Sequence, residues 1–324
     1  CIRDRVITSP ITFAASANCV RYADGEVVFA DIDPETYLLD IKEVEKLLKE
    51  APMGTYKGII PVDFAGRAVD LEAFRKLADA YGCWIIEDAC HAPGGYFTDS
   101  MGVEQKCGNG QFADLAIFSF HPVKHIAAGE GGMITTNDEI LYKKLLNLRT
   151  HGIQQEPSKK IYDHGGWYYE MQELGYNYRL TDIQSALGLS QLKRAGEGIT
   201  KRRQIANTYY QKLREAGFIK GQSGVISGHA YHLYVIETEN RKELFNYLRS
   251  LNIIVQVHYV PVHLMPYYQD RGWKEGDLPH AEHYYKHCLS LPMYPTLKDE
   301  EQRYVLGEVN NFYSEELSEI NVIV

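Results

Sequence analysis

The chain has 324 residues, 45% of them apolar and 24% charged, an ordinary globular composition with room for one large domain and one small one. A net charge of -9 argues against a nucleic-acid surface and against an anionic membrane partner, while leaving room for a local phosphate pocket. Six cysteines with no C-x-x-C pair read as free thiols of a reducing cytoplasm, and no run approaches the roughly 18 apolar residues of a membrane span.

The opening "CIRDRVITSPITFAASANC" mimics a signal peptide, but Asp4 sits in the would-be basic region and Thr8, Ser9 and Pro10 interrupt a short apolar centre. It is read as folded chain. With no initiator Met, the natural N-terminus is expected upstream.

"KGIIPVDF" (57–64) is a short apolar β-type run. "DLEAFRKLADAYG" (70–82) places Leu71, Phe74 and Ala78 at helical spacing and stops at a glycine. "CWIIED" (83–88) then reads as a second buried strand, which makes a βαβ unit with parallel strands. "ADLAIFSF" (113–120) and "GGMITTN" (131–137) add strands, so the first part of the chain is α/β with ligand chemistry expected at strand ends.

Residues 181–217 read mostly as helix, with Gly196 and Gly198 as the expected kink or break. "HAYHLYVIETE" (229–239), "RKELFNYLRSLNI" (241–253) and "IVQVHY" (254–259) then read as strand, helix, strand. The expected division is a large domain over 1–195 and a smaller α/β domain over 196–324.

There is no G-x-G-x-x-G after a strand, no P-loop and no G-x-S-x-G elbow. His280, His283 and His287 share a helical face, but no cysteine or carboxylate completes a metal site at suitable spacing, so no metal is expected.

Two clusters do combine. "IIEDACHAPGG" puts Glu87 and Asp88 at a strand end with His91 three residues on, and "FSFHPVK" puts Ser119 and Lys124 at the end of another. A lone carboxylate at such a place commonly caps a loop or helix, and a lone lysine is commonly a solvated loop residue. Together they suit a cofactor with a cationic ring nitrogen, an aldehyde and a phosphate. Pyridoxal phosphate is that cofactor: the carboxylate keeps the ring nitrogen protonated, and the lysine holds the aldehyde as a Schiff base. Hydroxyls and backbone N–H groups take the phosphate.

The motifs "ITSPITFAASAN" (7–18), "VVFADIDPETYLLD" (27–40), "IIEDACHAPGG" (85–95), "FSFHPVKHIAAGEGG" (118–132), "LGYNYRLTDIQSALGLSQL" (174–192) and "VQVHYVPVH" (255–263) run through most of the chain. In this order they resemble the DegT/StrS sugar-nucleotide aminotransferases, fold type I of the pyridoxal phosphate enzymes. That resemblance implies a mainly parallel sheet sandwiched by helices, with Lys124 as the Schiff-base residue and Asp88 on the pyridinium nitrogen. It further implies His91 on the ring hydroxyl, Ser119 on the phosphate and Phe13 stacked on the ring. Asn177 would reach the phosphate of a neighbouring subunit and Arg179 would meet substrate there, which implies a homodimer with shared sites. His258 and Tyr259 are candidates to line the sugar pocket, or else belong to a core strand end.

The implied reaction is transfer of an amino group from glutamate to a nucleotide-linked keto sugar, in the cytoplasm. The motifs are most similar to the branch that aminates C4 of a UDP-linked 4-keto-6-deoxy N-acetylhexosamine for bacterial surface glycans. Two alternatives stand beside it. Some relatives carry histidine in place of the lysine and dehydrate, although here Lys124 holds the position and His125 only adjoins it. A catalytically silent nucleotide-sugar-binding relative is the other. Relatives also carry a Gly-Thr-Ser-Ala-type phosphate loop before the "TSP" motif, and the present sequence begins after it.

Overall fold

The computed structural model describes residues 4–154, 160–162, 164–214, 220–221 and 226–320. Strands β1 (Arg5–Thr8), β2 (Glu26–Phe29), β3 (Tyr56–Ile60) and β4 (Trp84–Asp88) begin the main sheet. A separate hairpin of β5 (Tyr96–Thr98) and β6 (Glu104–Lys106) follows, and then the sheet resumes with β7 (Leu115–Ser119) and β8 (Gly132–Thr135). The order is β2-β1-β3-β4-β7-β8, with the first five strands parallel and β8 antiparallel at the edge. Parallel order brings the carboxyl ends of neighbouring strands to one rim, where ligand chemistry concentrates in open α/β sheets.

Helices α1 (Ala15–Tyr22), α2 (Ile41–Glu50), α3 (Leu71–Tyr81) and α4 (Glu139–Leu148) flank this sheet. The Asp70 side chain accepts from the Ala73 N–H to start α3, and Gly82, at φ +67°, ends it in the left-handed conformation. Leu71, Phe74 and Ala78 are the buried face, as their spacing predicts. Asp40 and Asp138 cap α2 and α4 in the same way. Ile7 and Ile11, from the stretch that mimics a signal peptide, are fully buried in the main core.

The short strands β9 (Ile153–Gln154) and β10 (Glu170–Met171) pair antiparallel. Next come α5 (Asp182–Leu192), opened by a Thr181–Gln184 capping box, and α6 (Ala195–Leu213). The break between them falls at Lys193 and Arg194 instead of at Gly196 and Gly198, which lie inside α6. Lys193 and Arg194 turn their N–H groups back onto the Leu189 and Gln191 carbonyls, which closes α5 locally. The expected end of this helical stretch, 215–217, lies outside the described residues.

A second sheet has the order β11-β12-β13, from β11 (Lys220–Gly221), β12 (Tyr234–Glu237) and β13 (Cys288–Leu291), and is antiparallel throughout. Helices α7 (Arg241–Ser250), α8 (Pro266–Gln269), α9 (Pro279–His287) and α10 (Asp299–Ile320) complete the order. The strand expected over 254–259 does not form: only a Gln256–Ser290 bridge remains, because β13 takes the ladder beside β12. The freed segment runs toward the rim of the main sheet, where the Val262 N–H donates to the Pro10 carbonyl. Residues 229–233, expected to be strand, also lie outside β12, and the Ala230 and Leu233 N–H groups donate to Gly66 and Ala65.

The Arg202 guanidinium, buried in α6, donates from one nitrogen to the carbonyls of Tyr231, His232 and Met293 at 2.9–3.2 Å. These bonds tie α6 to two segments far away in sequence. Replacing Arg202 with Met keeps much of the volume but strands three carbonyls. The Arg202→Met substitution is therefore expected to cost about 3 kcal/mol, measured as a shift in urea denaturation midpoint. A loss below ~0.5 kcal/mol would show that water or local relaxation replaces the guanidinium.

Candidate active site

Asp88 is the last residue of β4 and Ser119 the last residue of β7, on adjacent parallel strands in which Asp88 pairs in register with Ile117. The Asp88 carboxylate is buried and held from two sides. Its Oδ2 accepts from the Ser16 hydroxyl at 2.6 Å, and its Oδ1 accepts from the Cys90 N–H at 3.1 Å. Ser16 Oγ is in turn 2.8 Å from Thr12 Oγ1. Phe13 lies between these two residues in the β1–α1 turn and is 63% exposed.

Lys124 sits in the β7–β8 connection, where its N–H donates to the His121 carbonyl in a tight turn. Its side chain is half-buried, and among the described residues its Nζ has no hydrogen-bond or ion-pair partner. Burial holds the ammonium below its usual range, while Cys90 and Asp88 act in the opposite direction. More of the side chain is therefore neutral amine near pH 7, the form that acts as nucleophile or base. The Ser119 hydroxyl accepts from the His121 N–H at 3.3 Å at the start of the same turn.

His91 follows β4 and is buried. Its Nδ1 accepts from the Ala65 N–H at 3.3 Å, which places the single proton of the neutral ring on Nε2, 3.2 Å from Tyr259 Oη. Burial, then the nearby Lys124, pushes the His91 pKa far below the ordinary imidazole range, so the ring is neutral. Tyr259 is also 6.4 Å from Phe13, centroid to centroid. His258, with Nδ1 2.8 Å from Ser290 Oγ, is lowered to about 4 by burial and by Lys124. Tyr259 therefore joins the cluster as a partner of His91, a closer tie than its place at a strand end suggested.

Asn177 and Arg179 lie outside this cluster. Both are exposed, Asn177 bridges to Thr150, and no hydrogen bond joins either to Asp88, His91 or Lys124 among the described residues. Glu87, one residue before Asp88, accepts from the Gly108 N–H instead. Ser16 and the Cys90 amide are the contributors that sequence reasoning missed. The Thr12–Ser16 spacing, one helical turn apart at the mouth of a strand, was the available signal for Ser16.

The residues fit pyridoxal phosphate: an unpaired amine, a doubly held carboxylate, an exposed aromatic face and a hydroxyl at the strand rim. Comparison with known proteins points the same way. A transaminase acting on UDP-4-amino-4,6-dideoxy-N-acetyl-beta-L-altrosamine, from Campylobacter jejuni, is 35% identical over 93% of this chain and 77% of its own length. The solved structure of Helicobacter pylori PseC, an aminotransferase involved in the biosynthesis of pseudoaminic acid, superposes with a TM-score of 0.85 at 31% identity. That match covers 97% of this chain and 80% of the other. The PLP-form of the sugar aminotransferase Spr1654 from Streptococcus pneumoniae superposes with a TM-score of 0.83 at 27% identity, over 97% and 81% of the two chains. With its pattern matched over residues 2–310, the chain belongs to the DegT/DnrJ/EryC1/StrS aminotransferase family.

Proposed function

We propose that this sugar aminotransferase uses pyridoxal phosphate to move an amino group from glutamate to C4 of a UDP-linked 4-keto-6-deoxy N-acetylhexosamine, in the cytoplasm. The observation that carries the cofactor assignment is the unpaired, half-buried amine of Lys124 beside the doubly anchored Asp88. The substrate assignment draws on the names of the Campylobacter and Helicobacter transaminases. Among the described residues no helix is long and apolar enough to cross a membrane. We assign cofactor binding to residues 1–195 and the smaller part to 196–324.

Pyridoxal phosphate, when bound, supplies an electron sink for the pair left at the donor's α-carbon. Asp88 holds the compensating negative charge at the cationic ring nitrogen, and Ser16 and the Cys90 amide fix its direction. Lys124 Nζ would serve as the group that accepts the proton from the donor's α-carbon and returns it, a role its lowered pKa favours. His91 would meet the ring hydroxyl, Phe13 would cover one ring face, and Ser119 would donate to the phosphate. His258 and Tyr259 border the sugar pocket.

Lys124→Ala should bind cofactor without a borohydride-stable link to the chain and lose transamination. Wild-type turnover, or a reduced adduct mapped to another lysine, would contradict the assignment. Asp88→Asn keeps the shape but removes the charge and one of the two acceptor oxygens, and a loss in kcat on the order of a hundredfold is expected with cofactor still bound. An unchanged kcat would make Asp88 a structural cap.

The catalytic unit is proposed to be a two-fold dimer. Helix α5 has no buried residue, and its Ile183 is 84% exposed, as is Leu174 just before it. Tyr176, Tyr178, Leu189 and Leu192 are exposed along the same stretch. Gln184 Nε2 donates to the Glu130 carbonyl, so this apolar stretch adjoins the Lys124 connection. An isologous partner covering it would carry Asn177 and Arg179 to the opposite site. Mixed dimers of Lys124→Ala and Asn177→Ala chains should regain one intact site. Activity well above both mutant homodimers is the expected result, and no recovery from two severely impaired parents would place each site within one chain.

A further inference from the structure

Behind Asp88, on the opposite face of β4, lies a second acidic group that the reaction does not use. Asp63 and Glu87 are 0% and 1% exposed, and with the Cys107 thiol they bring side-chain polar atoms within 4.8 Å of one another. One oxygen of each carboxyl is satisfied: Asp63 Oδ1 accepts from the Val69 N–H and Glu87 Oε2 from the Gly108 N–H, both at 2.9 Å. Among the described residues the other two, Asp63 Oδ2 and Glu87 Oε1, are buried with only the Cys107 thiol as a donor facing them. Among the described residues no lysine or arginine bonds either carboxyl. Two bare carboxylates this close and this dry repel each other strongly, and a proton between them removes the repulsion.

We propose that Asp63 is a positioning residue whose carboxyl is protonated in the native state and donates to Glu87, and that this shared proton holds the 63–66 turn that orients His91. The turn is fastened to the site at several points. The Asp63 N–H donates to the Asp88 carbonyl at 3.0 Å, and the Asp88 N–H donates to the Pro61 carbonyl at 2.9 Å. Ala65, held at φ +58°, presents its N–H to His91 Nδ1 and so selects the ring tautomer with its proton on Nε2. The backbone packs closely here: a Cβ on Gly66 would come within 2.8 Å of the His91 carbonyl. The turn and the carboxyl pair stand on their own geometry, and only the consequence for His91 rests on the proposed cofactor chemistry.

The groups that face the pair are the Cys107 thiol after β6, and Asp88 and Cys90 around the end of β4. Burial and the Glu87 charge push the Asp63 pKa well above the carboxylate range, and burial raises Glu87 as well. A folded-state pKa above the unfolded value gives stability that is complete below the ordinary carboxylate range. That stability is lost as pH rises through the raised value.

Asp63→Asn puts an amide N–H where the proton sat, so the donor to Glu87 no longer titrates. Infrared spectra of the native protein at neutral pH, with ¹³C-aspartate labelling, should show a protonated carboxyl band that shifts with the label and is missing in Asp63→Asn. The melting temperature of the native protein should fall with rising pH above the carboxylate range, and Asp63→Asn should flatten that fall. The asparagine variant should also retain at least tenfold more kcat/KM than Asp63→Ala. Should the alanine variant fail to fold, the infrared band and the pH dependence of Asp63→Asn decide the matter. Absence of the band in the native protein would overturn the proposal. So would an unaltered pH dependence in Asp63→Asn, equal activity of the two variants, or a stoichiometric metal ion found by elemental analysis.

Discussion

The two hydrogen bonds on the Asp88 carboxylate are the constraint around which the rest of the site is arranged. A carboxylate at a strand end can rotate freely unless its oxygens are separately claimed. Here Ser16 claims one and the Cys90 amide the other. Charge-assisted bonds of this kind are short and directional. Each donor comes from a different piece of chain: Ser16 from the start of α1, Cys90 from the turn after β4. The β1–α1 turn cannot shift without moving Asp88, and that turn carries Phe13. Likewise the turn after β4 carries His91. The direction of a single carboxylate thus fixes an aromatic face and a hydrogen-bond donor together.

Electrostatics near Lys124 follow from the same arrangement. Around the amine stand Asp88, which favours the ammonium, and burial, which opposes it more strongly. The imidazoles of His91 and His258 are both held neutral by burial, so the pocket does not add cationic charge to that of a bound pyridinium. The result is a site with one fixed negative charge, one titratable amine and a largely neutral wall. Such a site suits chemistry in which a proton moves between two carbons.

Much of this was legible in the residues. The α3 periodicity and its terminal glycine placed the crossover helix, and with it the parallel neighbours β3 and β4 whose ends form the rim. Asp88 and Ser119 fell at strand ends because apolar runs of strand length stop there. Where the reading failed, tertiary pairing had overridden a local pattern. The 254–259 run has strand composition, but β13 holds the place beside β12, and the run leaves to bring Tyr259 to His91. Gly196 and Gly198 suggested a break that α6 absorbs, since packing outweighs the roughly 1 kcal/mol preference against glycine in a helix. Ser16 stayed hidden because its partner is 72 positions away in the chain. Asn177 and Arg179 lie exposed on an apolar stretch away from the Asp88 cluster, so nothing in their local pattern ties them to it.

The central claim is that Asp88 holds a positive charge on the ring of the bound cofactor. Nitrogen-15 NMR of the protein loaded with ring-labelled pyridoxal phosphate reads this directly. The account predicts a ring-nitrogen shift in the protonated pyridinium range at neutral pH, moving to the unprotonated range in Asp88→Asn. An unprotonated nitrogen in the native protein, or a protonated one that survives loss of the Asp88 charge, would contradict it.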